Sequence, residues 1–198
     1  MIDYIFLILL SYSAIHTKPN GEVILSKEIK SLGGEEYLRQ QASYIQEVAE
    51  YTGVHHNWII ALMRYESAFK KNEVSSVGAL GSMQLHGFLK HRWLQSCKIS
   101  KKDCDFNNVL YGALALRMFK DQCGSYSSAL GKYRSKHCQI GPQALKVIRF
   151  KEILDEKELQ FSKECTVLLN VCSGVCCVHD AIHMVLHVPK GKRKVGRT

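Results

Sequence analysis

The sequence predicts a mainly α-helical domain over residues 37 to 155. Three observations carry that expectation. Apolar residues recur at spacings of three and four through successive segments, the period of a helix with one buried face. Asn, Pro and Gly stand at the ends of those segments, where caps and breaks belong. Between them, no run alternates apolar and polar residues for long enough to make a convincing strand. The 198 residues are 46% apolar and 23% charged, the balance of a globular chain with one core of ordinary size. With only 3 Pro and no internal repeat, collagen-like, coiled-coil and linker-dominated chains are excluded.

The first helix runs from Glu35 to about Thr52, with Tyr37, Ile45, Val48 and Ala49 as apolar positions and Gly53 as its stop. Asn57 is a candidate N-cap for a second helix, Trp58 to Phe69, whose buried stripe is Ile59, Leu62, Met63 and Phe69. Gly78 and Gly81 mark a turn-rich stretch. Asn107 or Asn108 can cap a third helix, Val109 to Lys120, and a fourth spans about Ser127 to Lys136. A fifth runs from Pro142, a residue suited to a first helical turn, to about Leu154. Residues 156 to 198 change character: charged, then apolar and Cys-rich, then basic. They are expected to form a C-terminal extension, as an added helix, a disulfide-tied appendage or a tail.

Residues 1 to 16 hold an apolar run, Ile5 to Leu10, followed by Ser11, Ser13 and Ala14. That is the pattern of a secretory signal, although Asp3 stands where a basic residue is usual; an apolar N-terminal strand is the alternative. Residues 17 to 34 read as an exposed leader. Export agrees with the 8 Cys, an even number that suits disulfides outside the cytosol. Cys97 with Cys104 and Cys123 with Cys138 are the expected bridges, with buried free thiols as the alternative. The net charge of +9 favours acidic partners. More than half of that excess lies in Lys190, Lys192, Arg193, Lys194 and Arg197. No folded basic face is visible, so nucleic acid is not an expected partner. No apolar run approaches the roughly 18 residues of a membrane-spanning helix. His179, His183 and His187 recur beside Cys172, Cys176 and Cys177, all zinc-ligating types. Their spacing fits no standard zinc module and vicinal cysteines are awkward ligands, so neither a metal nor a cofactor is expected.

Glu66 is the residue to explain. It falls three and four residues after Met63 and Leu62, on the apolar face of its own helix. A carboxyl held against apolar neighbours has a raised pKa and can carry a proton near neutral pH, as a general acid must. A solvated residue at the edge of the stripe would have the same spacing. The residues C-terminal to Glu66 add weight to the first reading. Glu66-Ser67-Ala68-Phe69 is succeeded by Ser75, and then by Gly78-Ala79-Leu80-Gly81-Ser82-Met83-Gln84-Leu85. The glycines let a backbone approach a ligand closely, and the Gln84 amide has both a donor and an acceptor, which suits an N-acetyl sugar.

This string resembles the signature of the soluble-type lytic transglycosylases, within the lysozyme-like superfamily. That family carries Glu-Ser-x-Phe, a Ser nine residues after the Glu, and Gly-Ala-x-Gly-Leu-Met-Gln. Asn108-Val109-Leu110-Tyr111-Gly112 is similar to its Asn-Ile-x-x-Gly helix, and Ala129-Leu130-Gly131-Lys132-Tyr133 to its Ala-Leu-Ala-Ala-Tyr segment. The resemblance implies a lysozyme-like helical domain of the goose-type or SLT kind, with the Cys-rich basic extension added. It implies Glu66 as the catalytic residue, with Ser75, Gly78, Gly81, Gln84 and Tyr133 forming the sugar cleft. The implied reaction cuts the β-1,4 bond between N-acetylmuramic acid and N-acetylglucosamine in peptidoglycan and leaves a 1,6-anhydro sugar. The implied setting is the periplasm or cell envelope, with glycan strands as partner, a monomeric enzyme, and a secretion, conjugation or pilus apparatus as a possible associate.

The chain departs from the family pattern in several places. Lys70-Lys71 replace Asn-Pro, Ser82 replaces Leu, and His86 stands where Met is common. Most seriously, Arg134-Ser135-Lys136 replace the Asn-Ala-Gly that shapes the cleft wall after Tyr133. Two alternatives therefore stay open. One is a hydrolytic goose-type muramidase, which needs a second carboxylate such as Asp103 or Asp105 to activate water. The other is a non-catalytic glycan-binding scaffold on the same fold. Glu73 reads as surface, and Trp58, Tyr65 and Phe69 fit core positions as well as sugar-stacking ones.

Overall fold

The computed structural model describes residues 34 to 171 apart from residue 102. The signal-like segment and the His- and Cys-bearing tail beyond Val171 lie outside the described residues. Among those described there are six helices and no strand: α1 (Gly34–Thr52), α2 (His56–Ser67), α3 (Gly87–Ile99), α4 (Cys104–Cys123), α5 (Tyr126–Ser135) and α6 (Pro142–Val171).

Helix α4 is the hub, packing against α1, α3 and α5, while α2 lies between α1 and α6. Of the predicted stripe of α1, Tyr37, Ile45 and Val48 are buried and Ala49 is partly buried, and Ala42, not among the predicted positions, joins them in the core. The helix ends where the Thr52 hydroxyl donates to the Val48 carbonyl (2.7 Å) and Gly53 takes a positive φ. Helix α2 buries Ile59, Leu62 and Met63, as the spacing predicts, and Ile60 as well, while Phe69 is buried just beyond the helix end at Ser67. It starts two residues earlier than expected. His55 caps it, its Nδ1 accepting from the Asn57 N–H at 3.3 Å. The Asn57 side chain is drawn away to α6, where it donates to Asp155 and Glu158.

Helix α3 is an addition to the expected elements. Its one buried residue is Trp93, so it has no apolar stripe to read. Trp93 Nε1–H donates to the Cys104 carbonyl (2.8 Å), and the Cys97–Cys104 disulfide closes the same corner. The second expected disulfide, Cys123–Cys138, ties the end of α4 to the segment after α5. Gly131 makes that segment possible, since a Cβ there would lie 2.0 Å from the Gln139 carbonyl oxygen. Helix α6 begins at Pro142 as expected but continues past 155 to Val171 without a break. The charged residues that marked a change of character are good helix formers, with no Gly or Pro to stop them. Among the described residues no helix is long and apolar enough to cross a membrane.

The two disulfides close loops with sequence separations of 7 and 15 residues. Loop-closure entropy assigns them about 2 and about 3 kcal/mol. Reduction is therefore expected to lower the thermal midpoint by about 10 °C or more. Scanning calorimetry with and without dithiothreitol checks this.

Candidate active site

Glu66 lies in the last turn of α2, one residue before the helix ends. The chain leaves the helix through two consecutive left-handed residues, Ala68 (φ 51) and Phe69 (φ 65). Non-glycine residues adopt that conformation at a cost of roughly 1 kcal/mol or more each, so the surroundings must hold them. They do: Phe69 is buried, and its carbonyl accepts the Tyr37 hydroxyl from α1 at 2.7 Å.

The loop from Val74 to Leu85 folds back on itself through two antiparallel bridges, Val74 with Leu80 and Leu80 with Leu85. Three helices hold it. From α2, the Ser67 hydroxyl donates to the Ser82 carbonyl at 2.8 Å. From α4, Asn108 Oδ1 accepts from the Met83 N–H (2.8 Å) and the Ser82 hydroxyl (3.0 Å). From α5, the Tyr133 hydroxyl donates to the Met83 carbonyl at 2.8 Å. Met83 is fully buried against Gly112, where a Cβ would come within 2.6 Å of its side chain. The motif residues of α4 and α5 thus act on the glycine loop, and the loop is fixed beside the end of α2.

Four of the expected site residues, Ser75, Gly78, Gly81 and Gln84, lie in this loop, and Tyr133 hydrogen-bonds to it from α5. Ser75 Oγ accepts from the Ala79 N–H at 2.9 Å, and Gly78 (φ 77) makes the turn between them. Gly81 (φ 81) presses on Asn108, with space for no side chain. Gln84 Nε2 donates to the carbonyls of Glu73 (3.1 Å) and Gly81 (2.9 Å), so its amide hydrogens brace the loop. His86 is exposed and precedes α3. Glu73 pairs with Lys70 at the surface (3.7 Å). Trp58 packs partly buried against the core and Tyr126, a packing position for that aromatic.

The electrostatics centre on one contact that sequence reasoning did not foresee. Arg134 Nη1–H donates to Glu66 Oε1 at 2.6 Å, and the side chains are 27% and 11% exposed. The two residues are 68 positions apart, and only the mismatch with the family pattern drew attention to Arg134. Burial pushes the Glu66 carboxyl above its ordinary range, and the Arg134 charge and hydrogen bond pull it back only in part. Tyr133 also titrates well above its usual value, through burial first and the nearby Glu66 charge second. Of the acids considered as a second carboxylate, Asp105 pairs with Lys71 (3.5 Å) and Asp103 accepts from the Ser100 hydroxyl (2.7 Å).

A helical domain with a glycine loop fixed beside one largely buried helix-end carboxyl is lysozyme-like in fold. A family model described as the transglycosylase SLT domain matches residues 43–144. That is just over half of the 198 residues, and the chain belongs to this family. No curated protein gives a significant match.

Proposed function

We propose that the protein is a lytic transglycosylase that cleaves the β-1,4 bond between N-acetylmuramic acid and N-acetylglucosamine, with Glu66 as its single acid and base. The observation that carries this reading is the Glu66 carboxyl itself: largely buried, raised in pKa, and set beside the glycine loop. A proton held on Glu66 passes to the glycosidic oxygen as the bond to the anomeric carbon breaks. The carboxylate then accepts the proton of the muramoyl 6-hydroxyl, whose oxygen closes on that carbon. No water enters, so no second carboxylate is needed to activate one, unlike the paired acids of a hydrolase. The engagement of Asp103 and Asp105 elsewhere favours this single-acid route.

Ser75, Gly78, Gly81, Gln84 and Tyr133 are read as builders of the cleft wall, with the Ser75 hydroxyl and the Gln84 carbonyl oxygen facing the sugar. Residues 37 to 155 form the catalytic unit. Export to the periplasm or cell envelope fits both the substrate and the two disulfides. Incubation with purified peptidoglycan, followed by separation of the soluble products, tests the reading. Anhydro-muramoyl ends support it. Reducing ends would indicate a muramidase, and glycan binding without release would indicate a scaffold.

Arg134 adjusts the acid in this reading. Its charge lowers the Glu66 pKa, and a general acid is lost as pH rises through that pKa. In Arg134→Asn the pKa therefore rises further, and the alkaline limb of kcat/KM moves to higher pH. A pH–rate profile of the variant against wild type reads the shift. An unmoved or acid-shifted limb would mean that the pair does not govern the proton.

A further inference from the structure

At the opposite end of α2 from Glu66, two imidazoles turn toward one carboxylate. His55 and His56 stack with ring centroids 4.2 Å apart. His56 Nε2 lies 3.3 Å from Glu158 Oε1, and His55 Nε2 lies 3.9 Å from Glu158 Oε2. One ligating atom from each of the three residues falls within 4.8 Å of the others. His56 is buried, while the His55 side chain is 51% exposed. We propose that His55, His56 and Glu158 form a zinc-class metal site that staples the start of α2 to α6.

The donor set points to the class of ion. Two imidazole nitrogens and one carboxylate oxygen suit a borderline cation such as Zn²⁺, and not the all-oxygen preference of Ca²⁺ or Mg²⁺. Tetrahedral ligands about 2.0 to 2.1 Å from zinc stand about 3.3 to 3.4 Å from one another. The His56–Glu158 separation already matches that edge, and the exposed His55 has only to close in by about an ångström. Its exposure also leaves the fourth position to water.

A supporting layer is in place. Asn57 donates one amide group to both Glu158 Oε2 (2.8 Å) and Asp155 Oδ1 (2.9 Å), fixing the carboxylate that both imidazoles face. Lys151 in turn holds Asp155. Glu158 and Asp155 carry the negative charge needed to offset a dication beside the positive end of α2. Ligation through His55 Nε2 requires the proton on Nδ1, so the long cap contact from the Asn57 N–H is given up for the metal bond. His56 and Glu66 are ten residues apart on one helix, about 15 Å, which keeps this site out of the cleft.

The test uses the full chain with His179, His183 and His187 replaced by Ala, so that tail imidazoles do not bind. After stripping with a chelator, Zn²⁺ is titrated by calorimetry, and the ion content is counted after gel filtration. This protein is expected to bind Zn²⁺ and to melt at a higher temperature with it. Adding either His55→Ala or Glu158→Gln is expected to lower the number of bound ions by one and to abolish the rise in melting temperature. His55 is exposed, so its variant keeps the fold, which circular dichroism in chelator verifies. A protein that binds no Zn²⁺, or a count that neither substitution changes, overturns the site.

Discussion

On the proposed mechanism, Glu66→Gln is expected to lower the release of soluble muropeptides from peptidoglycan by about 10²- to 10⁴-fold, the usual worth of a positioned acid–base group. Binding to glycan is retained, because the loop held by Ser67, Asn108 and Tyr133 does not depend on the carboxyl. Stability moves the other way. The folded-state pKa of Glu66 is raised, so its contribution to stability is fully present below the ordinary carboxyl pKa and is lost as pH rises through the folded value. At neutral pH the ionised carboxylate is therefore a burden that Gln does not carry. The thermal midpoint of the variant is expected to equal or exceed that of wild type near neutrality, with the gap closing in acid. Melting curves at two pH values, run beside the release assay, separate a lost acid from a lost fold.

Gly81→Ala damages stability and activity together. Gly81 sits at φ 81, and a Cβ on it would lie 2.2 Å from Asn108 Nδ2. The left-handed backbone costs roughly 1 kcal/mol for Ala, and overpacking adds about 1 to 3 kcal/mol. Relief by moving Asn108 breaks its bonds to Met83 N–H and the Ser82 hydroxyl, which frees the loop beside Glu66. A total loss of about 2 to 4 kcal/mol is expected in a urea titration, together with reduced turnover. Gly78→Ala is the matched comparison. Its φ of 77 is similar, but the nearest atom to a new Cβ is the end of the Lys90 side chain at 3.7 Å. It should cost only the backbone term, about 1 kcal/mol. Equal losses at the two positions would show that the Asn108 contact does not matter.

What the sequence made legible is local. The stripes of α1 and α2 repeat at helical spacing over single segments, so the core face of each was readable. The loop motif was readable because its glycines and polar residues lie within two dozen positions of Glu66. The disulfide corners also close over short spans. Helix α3 escaped because its partner interactions run through Trp93 and a disulfide and not through a stripe. The end of α6 escaped because a change in charge was read as a change in structure. Asn57 was read as a cap from its type, yet its side chain belongs to Asp155 and Glu158 on a helix about a hundred residues away. The Arg134–Glu66 pair is of the same kind. Spacing within a helix cannot place two charges from different helices, and the substitution after Tyr133 looked like a damaged cleft wall when it brings a cation onto the acid. Asn108 was noticed as part of a motif, but its work of holding Ser82 and Met83 is visible only in three dimensions.

The proposed route, in which one carboxyl runs the whole reaction without water, predicts a chemical signature. Digestion of purified peptidoglycan in heavy-oxygen water, with mass spectrometry of the muropeptides, reads it. The expected products are one water lighter than reducing muropeptides, carry no label, and are absent from the Glu66→Gln digest. Labelled reducing ends would contradict the single-acid mechanism and require a second group to activate water. Unlabelled anhydro products that persist in Glu66→Gln would contradict it equally, by moving the acid elsewhere.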